Sequence, residues 1–160
     1  MKSLIPILVA TAGLVAVASP AVAGNHADNS VEITNGRFQN LTKAGDAVHY
    51  DVKGGAIMFR TANETTVYVK VKGLEPGTFY PTHVHNQLCS WSPPGGSHYQ
   101  EDVLGPVDRF NEMWPGFMTD DTGQGVGSAT HAFRARPEAQ SLVIHYPAMT
   151  SIRLACVDLT

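Results

Sequence analysis

Short apolar or alternating runs, broken by Gly, Pro, Asn and Asp, recur along the chain from residue 31 onward. In TVYVKVKGL (66–74), Val67, Val69 and Val71 alternate with Tyr68, Lys70 and Lys72. Successive side chains of a strand face opposite ways, so this pattern predicts a strand with one buried and one wet face. VEITNGRF (31–38), AVHYDV (47–52) and AIMFRTA (56–62) read as strands before it. TFYPTHVH (78–85), THAFRAR (130–136), SLVIHY (141–146) and SIRLACVDL (151–159) read as strands after it. No stretch has the apolar spacing of a convincing amphipathic helix, and there is no internal repeat. About eight short strands parted by turn residues predict an all-β, antiparallel sandwich or barrel. The interval 86–129 lacks strong periodicity, and a loop of that length in a compact domain is usually functional or disordered. Its Trp91, Tyr99, Trp114 and Phe117 argue for a packed, functional loop.

The first residues change the picture of where the chain works. MKSLIPILVATAGLVAVASPAVAG has a basic start at Lys2, an apolar run from Leu4 to Ala18, and Ala21-Val22-Ala23 as a small-x-small cleavage site. This is the pattern of a secretory signal over residues 1–23, with a domain from 24 to 160. A membrane anchor is the alternative, but the run is shorter than the roughly 20 apolar residues of a spanning helix. No cysteine near the cut points to a lipid anchor. The expected location is therefore secreted or periplasmic.

An oxidising compartment bears on the two cysteines, Cys89 and Cys156, which lie 67 residues apart. A lone pair there is expected to form a disulfide, and closing such a loop stabilises by roughly 4 kcal/mol. Two thiolate metal ligands are the alternative, without a second Cys-x-x-Cys or Cys-x-x-His pattern to support it. The net charge is −3, and loss of Lys2 with the leader would make it −4. No basic run or aromatic–basic interleaving points to nucleic acid.

Candidate chemistry centres on histidine. His83 and His85 are two apart on an expected strand, so both imidazoles share a face, a good start for a copper or zinc site. Such a pair alone is equally compatible with two solvated side chains. His98 follows a Gly-Gly turn able to fold it back, and His145 ends an apolar strand, where a single histidine is more often packed into a core. His49 and His131 read as structural. If cleavage follows Ala23, Gly24-Asn25-His26 would present a free amine, two amides and an imidazole. That set could hold Cu(II) or Ni(II) in a square plane as an auxiliary site, with a histidine placed there by coincidence on a plain tail as the alternative.

Several motifs, in order from about Thr66 to Leu159, resemble copper–zinc superoxide dismutases, and more closely their copper-only relatives. VKVKGLEPGTFYPTHVH resembles the strand-turn-strand leading into that family's His-x-His copper ligands. CSWSPPGGSHY resembles the segment with a disulfide cysteine and the bridging histidine, SLVIHYP the strand with the last copper ligand, and IRLACVDL the final strand with an arginine three residues before the second cysteine. The resemblance implies an eight-stranded antiparallel Greek-key sandwich or barrel with a long active-site loop. It implies copper on His83, His85, His98 and His145, a Cys89–Cys156 disulfide, and Arg153 as the catalytic arginine guiding superoxide. His98 would also be catalytic, leaving copper on reduction and carrying a proton.

Two departures from the full family matter. No histidine lies between His98 and His131, where zinc ligands would fall, so zinc is not expected. Asp120 and Asp121 lie near the place of a zinc aspartate, but Asp120-Asp121-Thr122-Gly123 reads more simply as a turn. The chain from His145 to Arg153 is short, which matches the copper-only relatives and implies an open site, and His85 to Cys89 is short as well. Without zinc, His98 needs another orienting partner. Glu112, in FNEMWPGF, is the candidate, with a surface glutamate as the alternative. Trp114 and Phe117 are expected to pack this loop.

The expected function is thus a copper-dependent superoxide dismutase, with superoxide as substrate and a copper donor as a conceivable partner. No nucleic-acid or membrane partner is expected, and monomer and dimer fit equally. A non-catalytic copper-binding or delivery protein on the same fold is the alternative, disfavoured by Arg153. Gly77 followed at a distance by His83-x-His85 also opens a cupin-like motif, but no glutamate follows three or four residues after His85. A blue-copper site fails because no His and Met follow a cysteine at suitable spacing.

Overall fold

The computed structural model describes residues 30–160. The expected leader and Gly24, Asn25 and His26 lie outside the described residues. Ten strands occur among the described residues: β1 (Glu32–Arg37), β2 (Gln39–Asn40), β3 (Lys53–Arg60), β4 (Thr65–Lys72), β5 (Phe79–Tyr80), β6 (Thr82–His85), β7 (Phe117–Met118), β8 (Gly125–His131), β9 (Ser141–Tyr146) and β10 (Met149–Asp158). Two four-stranded sheets, ordered β1-β3-β4-β8 and β2-β10-β9-β6, are joined by a short β5-β7 ribbon. The named pairings are antiparallel, and the chain crosses between the two large sheets before and after β2, between β4 and β6, between β6 and β8, and after β8. The fold is the all-β antiparallel architecture expected of the sequence.

Alternation builds the core. Val67, Val69 and Val71 of β4 are buried while Tyr68, Lys70 and Lys72 are exposed, and Met58 of β3 joins the valines. Val84, Leu142, Ile144, Leu154 and Val157 come from the second sheet to the same cluster. Strand β9 is buried from Ser141 to His145, because the long loop covers its second face. There Val143 packs with the Cys89–Cys156 disulfide and Leu41.

Several expected strands differ from the observed ones. Residues 47–52 form no strand, although their alternation suggested one. Instead Val52 N–H donates to Asn40 Oδ1, and Tyr50 meets Tyr80 edge-on, so the segment closes one end of the sandwich. The strand expected over 130–136 is β8, which lies earlier and ends at His131. Pro81 lacks an N–H and divides 78–85 into β5, which pairs with β7, and β6, which pairs with β9.

Candidate metal centre

His83 and His85 stand on one face of β6, with fully buried Val84 on the other. His85 and His83 are in register with Ser141 and Val143 of β9, and His145 follows on that face. His98 arrives from the loop. Gly95 (φ 83°) and Gly96 (φ 68°) form the expected turn in the left-handed region open to glycine. A bridge pairs His98 with His85, and Tyr99 N–H donates to Val84 O, so the loop runs along β6 as an irregular extra strand.

The four imidazoles converge. One potential ligand atom from each lies within 4.8 Å of all the others. His83 and His98 are 4.1 Å apart by ring centroids, His83 and His145 5.0 Å, and His85 and His98 4.8 Å. His85 Nε2 and His145 Nε2 are 3.3 Å apart. Among the described residues the other group of potential ligands is Cys89, Cys156 and Asp158. Its sulfurs are joined in the disulfide, and Asp158 Oδ1 accepts from Cys89 N–H at 2.7 Å.

The ring nitrogens divide in a way that fits a metal. His85 Nδ1 faces Gly96 O at 3.2 Å, His145 Nδ1 faces Thr150 O at 2.6 Å, and His98 Nδ1 faces Glu112 Oε2 at 2.6 Å. An oxygen acceptor holds a proton on each Nδ1, which leaves the Nε2 lone pair free as a ligand. His83 Nδ1 is instead buried without any hydrogen-bond partner. An orphaned buried nitrogen is unfavourable unless something fills the space before it. The donor set offered is therefore three Nε2 atoms and one Nδ1.

Burial keeps these rings neutral. Loss of solvent, with His98 and His145 adding like charge, lowers the His83 pKa to about 3. The same causes, together with Arg153, lower His85 to about 2, although Gly96 O opposes them. Burial lowers His145 to about 4 against the opposing pull of Thr150 O. Neutral imidazoles are the form that binds a metal, so the ligands are ready at neutral pH.

Glu112 is 1% exposed, and its Oε2 accepts from both His98 Nδ1–H and Trp114 Nε1–H, the latter at 2.8 Å. A bridge between Gln100 and Glu112 sets this geometry. The Trp114 ring also stands edge-on to His83, with centroids 5.6 Å apart. Phe117 instead stacks on Tyr80 at 5.9 Å.

Arg153 reaches the site through an irregularity in β10. It pairs with His145, whereas Ala155 pairs with Ile144 and Cys156 with Val143, so the register shifts between Arg153 and Ala155. On a regular strand, residues three apart face opposite ways. The bulge brings Arg153 onto the face of Cys156 and the histidines. Its Nη1 donates to Pro94 O.

Other expected residues lie outside the cluster. Asp120 Oδ1 accepts from Thr122 and Gln124, the bonds of a turn, and these hold its carboxyl below the usual range. His49 is exposed beside Thr42, and His131 stacks obliquely on Phe133. The carbonyls of Gly96, Thr150 and Pro94, and the Trp114 indole, were not foreseen. Only Trp114 had a sequence signal, its place two residues after Glu112.

The two-sheet antiparallel sandwich, with its histidine cluster on the outer face of one sheet, is similar in fold to copper–zinc superoxide dismutases. Among solved structures 59 chains match. One is the Cu/Zn superoxide dismutase from Brucella abortus, with a TM-score of 0.55 and 19% identity, covering 81% of this chain and 100% of that one. The likeness is one of fold. No protein-family model matches the chain, and no curated protein matches it in sequence.

Proposed function

We propose that this protein is a copper-only superoxide dismutase of the secreted or periplasmic space. The observation that carries the reading is the fate of the tetrad's nitrogens. Three Nδ1 atoms are anchored, the fourth is buried and unpartnered, and His98 Nδ1 is held by a carboxylate rather than left for a second metal. His83 Nδ1 and the Nε2 atoms of His85, His98 and His145 would hold copper. Four imidazoles suit that ion in both oxidation states of a redox cycle. When bound, copper would supply the one-electron steps that take one superoxide to dioxygen and a second, with two protons, to hydrogen peroxide.

The chain's own residues supply the rest. Arg153, fixed on Pro94 O, places a permanent positive charge beside His145 to attract and orient an anion. His98, whose side chain keeps 30% exposure, can hold and release a proton at Nε2 toward solvent. Glu112 keeps the opposite nitrogen protonated, so the ring returns to one tautomer. The disulfide fits an oxidising compartment, and the leader-like start supports export.

The test is metal content and superoxide consumption after expression with copper and zinc together. About one copper and no tightly bound zinc per chain, with fast superoxide loss, is the expected result. One zinc held beside copper would overturn the copper-only assignment. Copper bound without superoxide consumption would favour the delivery protein.

A further inference from the structure

Away from the histidines, the solvent face of the first sheet gathers positive charge in a chain whose net charge is −3. Arg37 of β1 is in register with Gly55 of β3, and Gly55 with Lys70 of β4. Lys53 is directly opposite Lys72. All four cations are exposed, and they surround an open hollow of about 440 Å³ floored by Gly54 and Gly55. Lys53 pairs with Asp51 at 2.7 Å. Among the described residues, Arg37, Lys70 and Lys72 engage no carboxylate. Lys53 and Lys72 are like charges facing across an antiparallel pair, and Asp51 offsets their repulsion only on the Lys53 side.

The glycines explain why the hollow exists. Gly54 has φ 138°, and a Cβ there would lie 2.1 Å from Lys70 O. A Cβ on Gly55 would lie 2.3 Å from Gly36 O. Three backbones therefore crowd together where no side chain fits, and the cations rim a bare floor. A second hollow shares Gly55 and Lys70 and continues to Tyr68, a residue 48% exposed. Lys72, Lys70 and Tyr68 are alternate residues of β4, so the joined trough is roughly 14 Å long with charges about 7 Å apart.

We infer that this trough binds a linear anionic polysaccharide, one whose sugars carry sulfate, phosphate or carboxylate groups. Spaced cations suit repeating charged substituents, and the exposed ring of Tyr68 offers a flat apolar surface to a sugar. A bilayer presents its charges on a broad plane that cannot reach a recessed glycine floor. A nucleic acid would be expected to find several aromatic platforms, where this trough has one.

The experiment uses the full exported protein and measures its binding to a dextran sulfate oligosaccharide, with uncharged dextran as control. Binding should be selective for the sulfated chain and weaken as salt rises. Lys70→Ser with Lys72→Ser should weaken it at least about tenfold, since each cation contributes beside an anionic surface. Lys43→Ser, an exposed cation outside the trough, should change nothing, and both proteins should consume superoxide at the parent rate. Lack of binding at about 0.15 M salt would overturn the inference. So would unchanged binding by the double variant, or tighter binding of single-stranded DNA or phosphatidylglycerol vesicles.

Discussion

Glu112 and His98 form the contact on which the copper-only reading is most exposed to test. In Glu112→Gln the side-chain carbonyl can still accept from His98, but the negative charge is lost. Copper retention should weaken about 10–100-fold, as is typical when the partner of a ligand is changed. Competition with a chelator reads this, and an unchanged unfolding midpoint of the metal-free protein would separate it from a folding defect. The metal-free protein should also lose stability in acid. His83, His85 and His145 have folded-state pKa values of about 3, 2 and 4, below the ordinary 6.5. Above pH 6.5 both folded and unfolded states leave them neutral, and no difference arises. Below it the unfolded chain takes up protons that the fold refuses. Stability should then fall by about 1.4 kcal/mol per pH unit for each such imidazole, levelling for His145 near pH 4. Urea midpoints from pH 7 to 4 measure this slope, and His145→Gln should make it shallower. Spacing alone marked His83 and His85 as a pair on one face, and it was the resemblance to the copper–zinc superoxide dismutase motifs that added His98 and His145. The oxygens of Gly96, Thr150 and Pro94 were not legible, because every residue has a carbonyl and only the fold chooses which one faces a ring.

At the scale of elements, the alternation of β4 was legible because its two faces meet different solvents. The same kind of pattern misled at 47–52, where Val48, Tyr50 and Val52 pack inward from an irregular segment that closes the sandwich. Hydrophobic period cannot tell a laddered strand from such a cover. Nor does sequence mark the bulge in β10, although the three-residue step from Arg153 to Cys156 was a clue that a regular strand would separate them. The Gly95-Gly96 turn is a further point of control. A Cβ at Gly95 would lie 2.8 Å from Val143 Cγ2 and 3.2 Å from His85 Cβ, at φ 83°. Gly95→Ala should therefore destabilise the protein by about 1–2 kcal/mol from the backbone alone. It should also weaken copper binding through His85. Thermal unfolding and metal titration of the same variant would show both, and an effect on stability alone would mean that the turn does not set the site.

Across the whole molecule, charge is unevenly spread. The chain is net negative, so on the proposed function a superoxide anion would meet general repulsion, offset beside the histidines by Arg153. Arg153→Ala should slow superoxide consumption by about tenfold or more and flatten its dependence on ionic strength while copper stays bound. Pulse radiolysis across a salt series measures both effects, and unchanged rates at low salt would remove Arg153 from the role. The cluster of cations on the first sheet escaped the sequence reading because its members come from three strands. No single window along the chain is basic.

The Cys89–Cys156 link gives these contacts an order in time. It ties β10 to the start of the loop whose carbonyls, at Pro94 and Gly96, hold Arg153 and His85. Before oxidation that loop has no covalent tether, and the anchors for guide and ligand are free to drift. A chain kept reduced would then hold the four imidazoles and Arg153 less firmly than the oxidised one. On the proposed function, passage into an oxidising compartment would therefore be the step that completes the site.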